Sequence, residues 1–99
     1  MFTFSSKDPN ETELFVFDFL DLLNPGETIT GAAVMVTVSI GTDSDPSAML
    51  SGSASISGTQ VAQMITGGIA GNTYHLECAI TTSLGQELVT CGLLPIILC

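Results

Sequence analysis

Few residues of this chain could do chemistry. Its only tyrosine and only histidine, Tyr74 and His75, stand side by side after the glycine-rich run Gly67-Gly68-Ile69-Ala70-Gly71. Three cysteines, Cys78, Cys91 and Cys99, are spread through the last quarter, and Asp43-Ser44-Asp45 lies upstream. A closed metal site needs about four thiolate or imidazole ligands in paired spacing, and a lone histidine with scattered cysteines does not supply them. A Ser-His-Asp triad would need an exposed nucleophile on a strained turn, and no G-x-S-x-G elbow occurs. Asp43-Ser44-Asp45 has the acids of a calcium loop without its glycine or distal glutamate, so it reads as an Asx turn. The glycines before Tyr74 open no helix and precede no lysine, so they fit neither nucleotide-binding fingerprint. No catalytic, metal-binding or cofactor-binding residue is expected, and no cofactor.

The charge balance narrows the partners. Ten acids stand against a single cation, Lys7, for a net charge of −9. Nucleic acids and anionic membranes are bound by lysine and arginine, so neither is an expected partner. Six of the acids fall in the first 27 residues, whereas residues 46–76 carry no charge. The acidic third reads as a solvated face, with docking onto a basic protein surface as the sharper alternative. The opening Met1–Glu11 has neither a basic stretch nor an apolar one, so no secretory leader is expected. The apolar run Leu93–Leu98 is far too short to cross a bilayer. In a reducing compartment the three cysteines stay free thiols.

Elements that would position Tyr74 and His75 follow from periodicity. Tyr74, Leu76, Cys78 and Ile80 alternate with His75, Glu77, Ala79 and Thr81, the mark of a half-buried strand. Val34, Val36, Val38 and Ile40 predict a second strand with one apolar face, and Val61, Gln63 and Ile65 a third. Further strands are expected over Leu14–Phe19, Ala48–Ser55 and Glu87–Leu98, with turns at Asp8-Pro9 and Pro25-Gly26. Six to seven strands at short intervals, without a helical period, predict an all-β fold, an Ig-like antiparallel β-sandwich. One domain is expected, an N-terminal arm over 1–13 and the sandwich over 14–99.

Two local details can be argued further. Ser83-Leu84-Gly85 suits a three-residue hairpin loop, which places Cys78 opposite Thr90 and turns Cys91 to the other face. Tyr74, with Gly71 in the loop before it, is the expected structural corner: its hydroxyl bonds back to upstream backbone.

Lys7-Asp8-Pro9, Phe17-Asp18-Phe19, Gly26-Glu27-Thr28-Ile29, Gly67 through Tyr74, Cys78 and Ile80 through Gly85 together resemble a family of small Ig-like virion proteins of tailed bacteriophages, the fibre–tail adaptor or tail-associated proteins. The likeness spans about two-thirds of the chain and leaves out residues 41–66. It departs in the first strand, where Phe and Leu replace Trp and Tyr, and in the last, which lacks the family's charges. The resemblance implies a non-enzymatic structural protein of the virion, made in the host cytoplasm. Such a protein joins tail and fibre or head and tail; a capsid decoration protein on the head shell is the alternative. The implied partners are other virion proteins and further copies of the chain.

The chain ends are the candidate contacts. Phe2 and Phe4 are apolar at one end, and Leu94, Ile96, Ile97 and Leu98 at the other. Alternate residues of a strand face opposite ways, so a two-layer sandwich buries only some of the four. The expectation is either Ile96 with Leu98 or Leu94 with Ile97 inside, and the rest free to meet a neighbour.

Overall fold

The alternating residues around Tyr74 form a strand that is paired along both of its sides. The structure, a computed structural model, describes residues 2–99. Seven strands run in the order β1 Phe2–Thr3, β2 Thr12–Asp18, β3 Ile29–Ile40, β4 Leu50–Ser57, β5 Gln60–Thr66, β6 Thr73–Thr82 and β7 Glu87–Pro95. They make two sheets, β1-β7-β6-β3 and β2-β5-β4, stacked as an all-β sandwich. Two 3-10 turns, Leu20–Leu22 and Pro46–Met49, lie in the connections.

Burial follows the period of two wherever both neighbours of a strand are present. In β6, Tyr74, Leu76, Cys78 and Ile80 all point into the core, as do Val61, Gln63 and Ile65 of β5. Thr82 donates its N–H to the Gln86 carbonyl and Gly85 takes a φ of 80°, so the β6–β7 hairpin closes on the three-residue loop with Cys78 opposite Thr90. The inward row of β3 breaks at its end. A register shift between Val38 and Ile40 turns Ile40 out to solvent, against the expectation that it shares the face of Val34, Val36 and Val38.

Three further expectations are corrected. The sandwich is not wholly antiparallel, because β1 pairs with β7 in parallel, Phe2 opposite Gly92. The first strand begins at Thr12, inside the segment expected as an arm, and ends before Phe19, which is fully buried beyond it. Ala48 and Met49 belong to a 3-10 turn and not to β4. What remains of the arm lies along the sandwich. Phe4 packs edge-on against Phe15 and Phe17, with ring centroids 5.0 and 5.8 Å away, and so closes the gap between the sheets. Each such pair adds about 0.5–1.5 kcal/mol beyond the area it buries. Gly92 makes room for it, since a Cβ there would meet Phe4 Cε2 at 2.7 Å.

Candidate functional site

The groups singled out for chemistry come to rest in structural roles. Tyr74 is fully buried at the start of β6. Its hydroxyl donates to Asp43 Oδ2 at 2.7 Å and accepts the Ile69 N–H at 3.1 Å and the Asn72 amide at 3.3 Å. Burial first, then the Asp43 bond, pushes the phenol upward, while that same bond holds the Asp43 carboxyl below its ordinary range. Gly71, in the same loop, donates its N–H to the Ile96 carbonyl and so ties the loop to the end of β7. The Asp43-Ser44-Asp45 turn closes on itself, with the Asp45 N–H on Asp43 Oδ1. No cluster of histidine, cysteine and acidic side chains able to hold a metal ion occurs among the described residues.

His75 lies on the outer face of the larger sheet, beside Met35, Thr37 and Glu77 in a shallow depression. The cysteines are free thiols: Cys78 buried, Cys91 half-buried opposite Glu77, Cys99 exposed. Burial pushes the Cys78 thiol up to about 11, so it stays protonated and unreactive.

The chain ends divide differently from the expectation. Leu94 and Ile96 are both fully buried, because the strand alternation runs straight through Pro95 and puts the two on one face. They are core residues and leave the candidate contact surface. Ile97 and Leu98, past the end of the strand, are exposed, as is Phe2. Phe4 is half-buried against the core. Phe2 and Phe4 line a groove of about 240 Å³ with Val16, Phe17, Asp18, Thr90 and Cys91, so the exposed phenyl ring joins the outer residues of β2.

Two buried side chains tie down opposite ends of the larger sheet, tasks that their places in the sequence motifs did not reveal. Lys7 is fully buried, and its Nζ donates to the carbonyls of Gly67 at 2.7 Å and Asp8 at 2.9 Å. Its backbone brackets the end of the last strand, with its N–H on Pro95 and its carbonyl accepting from Ile97. Desolvation lowers its pKa, against the pull of Glu11, Glu13 and Asp8. Glu27 is buried too. Its carboxylate accepts the Thr82 hydroxyl and, at 2.9 Å, the Asn24 N–H, which joins the β2–β3 connection to the β6–β7 hairpin. The usable signal was composition: a sole cation and an acid between a turn and a strand are positions where charge has a specific task.

What the described residues present is therefore a rigid body with apolar and acidic surface, held at its corners by buried polar groups. A comparison with curated proteins finds no match. A family model described as podophage GP4 fiber-tail adaptor protein gp77 matches residues 7–95, from the buried lysine to the last residue of β7. The match spans all but the outermost ends of the sandwich, and the chain belongs to this family of phage structural proteins.

Proposed function

We propose that the chain is a non-enzymatic virion protein that joins tail and fibre, and that it docks through the exposed apolar residues of its two ends, Phe2 at one and Ile97 and Leu98 at the other. The observation that carries the reading is the exposed ring of Phe2, continuous through Phe4 with Val16 on β2. An apolar patch held on a rigid frame and rimmed by acids is the form of a protein-docking site. Phe2, Ile97 and Leu98 all fall outside residues 7–95, so the contact is built from the part of the chain that the family model does not describe. Net charge supports the same direction, since −9 steers the molecule toward a basic surface on its partner.

The fold reading that goes with this is immunoglobulin-like. The order β2-β5-β4 in one sheet and β7-β6-β3 in the other corresponds to the B-E-D and C-F-G arrangement of those sandwiches, with Tyr74 where the corner tyrosine of strand F stands.

Phage carrying Phe2→Ser together with Ile97→Ser and Leu98→Ser tests the docking. These side chains are exposed, so the variant is expected to fold with an unchanged melting temperature and yet be missing from purified particles. Normal incorporation would refute this docking. Copies counted per particle by quantitative mass spectrometry test the adaptor role itself. A number matching a tail ring supports it, and a number covering the head shell supports capsid decoration instead.

A further inference from the structure

A β-sandwich has four strand edges, and an unpaired edge is a template for association unless it is blunted. Three of the four are blunted here. The β7 edge is covered along its second half by the segment from Phe2 to Lys7. The β2 edge carries Glu13 and Asp18. The β4 edge is interrupted by a register shift between Ser51 and Ser55, around Gly52. The β3 edge has register shifts only at its ends, between Ile29 and Gly31 and between Val38 and Ile40, and the stretch from Gly31 to Val38 between them is regular. Ile29–Ile40 is the longest strand, has neither charge nor proline, and pairs with β6 on one side only. No backbone hydrogen bond of the described residues reaches its other side. Exposed Met35 stands at its middle, and exposed Ile56 belongs to β4, which packs beside it.

From this we propose that β3 is an assembly edge, at which a second copy of this chain adds its own β3 antiparallel and continues the larger sheet. The occupant follows from charge and from strand chemistry. Every part of the surface that carries acids repels another copy at −9, and the sole cation is buried, so two copies can meet only on neutral ground. Residues 28–42 and 46–76, which include β3 and β4, are that ground. The nearest acid on the outer face is Glu77, one strand in, opposite Met35. Two copies joined at β3 keep their Glu77 side chains about three strand spacings apart, roughly 14 Å. That exceeds the screening length of about 8 Å at physiological salt. An uncharged edge has nothing with which to select a basic peptide. It suits an extended, uncharged, β-branched strand, and β3 is such a strand. Within the regular stretch between its two register shifts, Ala32 to Val38 can pair with its own copy, Val34 opposite Val36 and Met35 opposite Met35, which keeps Val34, Val36 and Val38 on the core side. This pairing is independent of the tail–fibre reading, because it is measured on the purified protein alone.

The test is sedimentation of the purified full chain from micromolar to millimolar concentration, with amide hydrogen exchange at both limits. The expected result is a monomer–dimer equilibrium in which alternate amides of Ala32–Val38 become slow to exchange as the dimer fills. Met35→Lys and Thr37→Lys place an ammonium group on exposed positions of the edge strand. Each should weaken the dimer about tenfold or more with its melting temperature kept. Lysine also reduces the net repulsion between copies, so a loss of dimer must come from the edge itself. Thr37→Lys stands in if Met35→Lys fails to fold. A monomer at every concentration overturns the proposal. So does a dimer indifferent to both lysines, or one whose new protection lies outside β3. Protection of β3 that appears only when tail or fibre protein is added assigns the edge to another partner and also overturns it.

Discussion

Lys7 is the only cation in a chain of ten acids, yet two backbone carbonyls hold its Nζ among the described residues. Its burial lowers the pKa, so at neutral pH the charge carries a desolvation cost that fades as pH rises toward the unfolded value of 10.5. The carbonyls offset that cost, and they would be left without a donor if the ammonium were removed. Lys7→Met keeps the stem and removes the donor, and it is expected to lose about 1–3 kcal/mol in urea unfolding. A variant as stable as the parent would show that the clasp contributes nothing. Tyr74 poses the same question with a neutral group. Tyr74→Phe keeps the buried ring but leaves the Ile69 N–H and the Asn72 amide short of an acceptor. The expected loss is again about 1–3 kcal/mol, and an unchanged melting temperature would mean that water replaces the hydroxyl.

Connections between elements rest on such pairs, and Glu27 makes one of them sensitive to acid. The Thr82 hydroxyl, then the Asn24 N–H, lowers the Glu27 pKa below 4.5 in the folded chain. A carboxylate with a depressed folded pKa contributes fully above its unfolded value, and the contribution is lost as pH falls through the folded one. Unfolding free energy measured from pH 7 downward should therefore drop below about pH 4.5. Glu27→Gln should be less stable at pH 7 and show a shallower acid slope; an identical slope would move the acid sensitivity to Asp43, whose pKa is also lowered. The strands these groups join were legible where both faces of a strand have different neighbours. β5 and β6 are of this kind, and so is the hairpin register, which Gly85 determines through its turn. Elements defined by a partner far along the chain were not legible. β1 is two residues with no periodicity, and it exists because Gly92 leaves space for Phe4 and the β7 edge offers backbone groups. Neither expected pairing, Ile96 with Leu98 or Leu94 with Ile97, could be corrected from the sequence alone, because the alternation passes through Pro95 and sets Leu94 and Ile96 on one face. Of the candidate site, Phe2, Ile97 and Leu98 were readable as apolar ends, whereas the buried tasks of Lys7 and Glu27 needed the third dimension.

At the scale of the whole molecule, charge and apolar surface are separated. Six acids lie in the first 27 residues, two in the loop after β3 and one each on β6 and β7, while β3 and β4 are uncharged from end to end. Two kinds of contact are therefore open to it, and they answer salt in opposite ways. Attraction between a body at −9 and a basic tail or fibre surface is screened as ions are added, so docking through the acidic side weakens. Contact between two copies works against the repulsion of −9 on −9, and what holds it is backbone pairing and apolar area that salt does not screen. Raising salt from about 0.1 to 1 M shortens the screening length from about 10 to 3 Å. Self-association of the purified chain should tighten over that range, while binding to a purified basic partner should loosen. Sedimentation at a series of sodium chloride concentrations measures the first and a binding titration the second. A self-association that loosens with salt would mean that opposite charges meet in it. With the only lysine buried against the Gly67 carbonyl and its backbone bonded beside the end of β7, such a contact would require the N-terminal segment to leave β7.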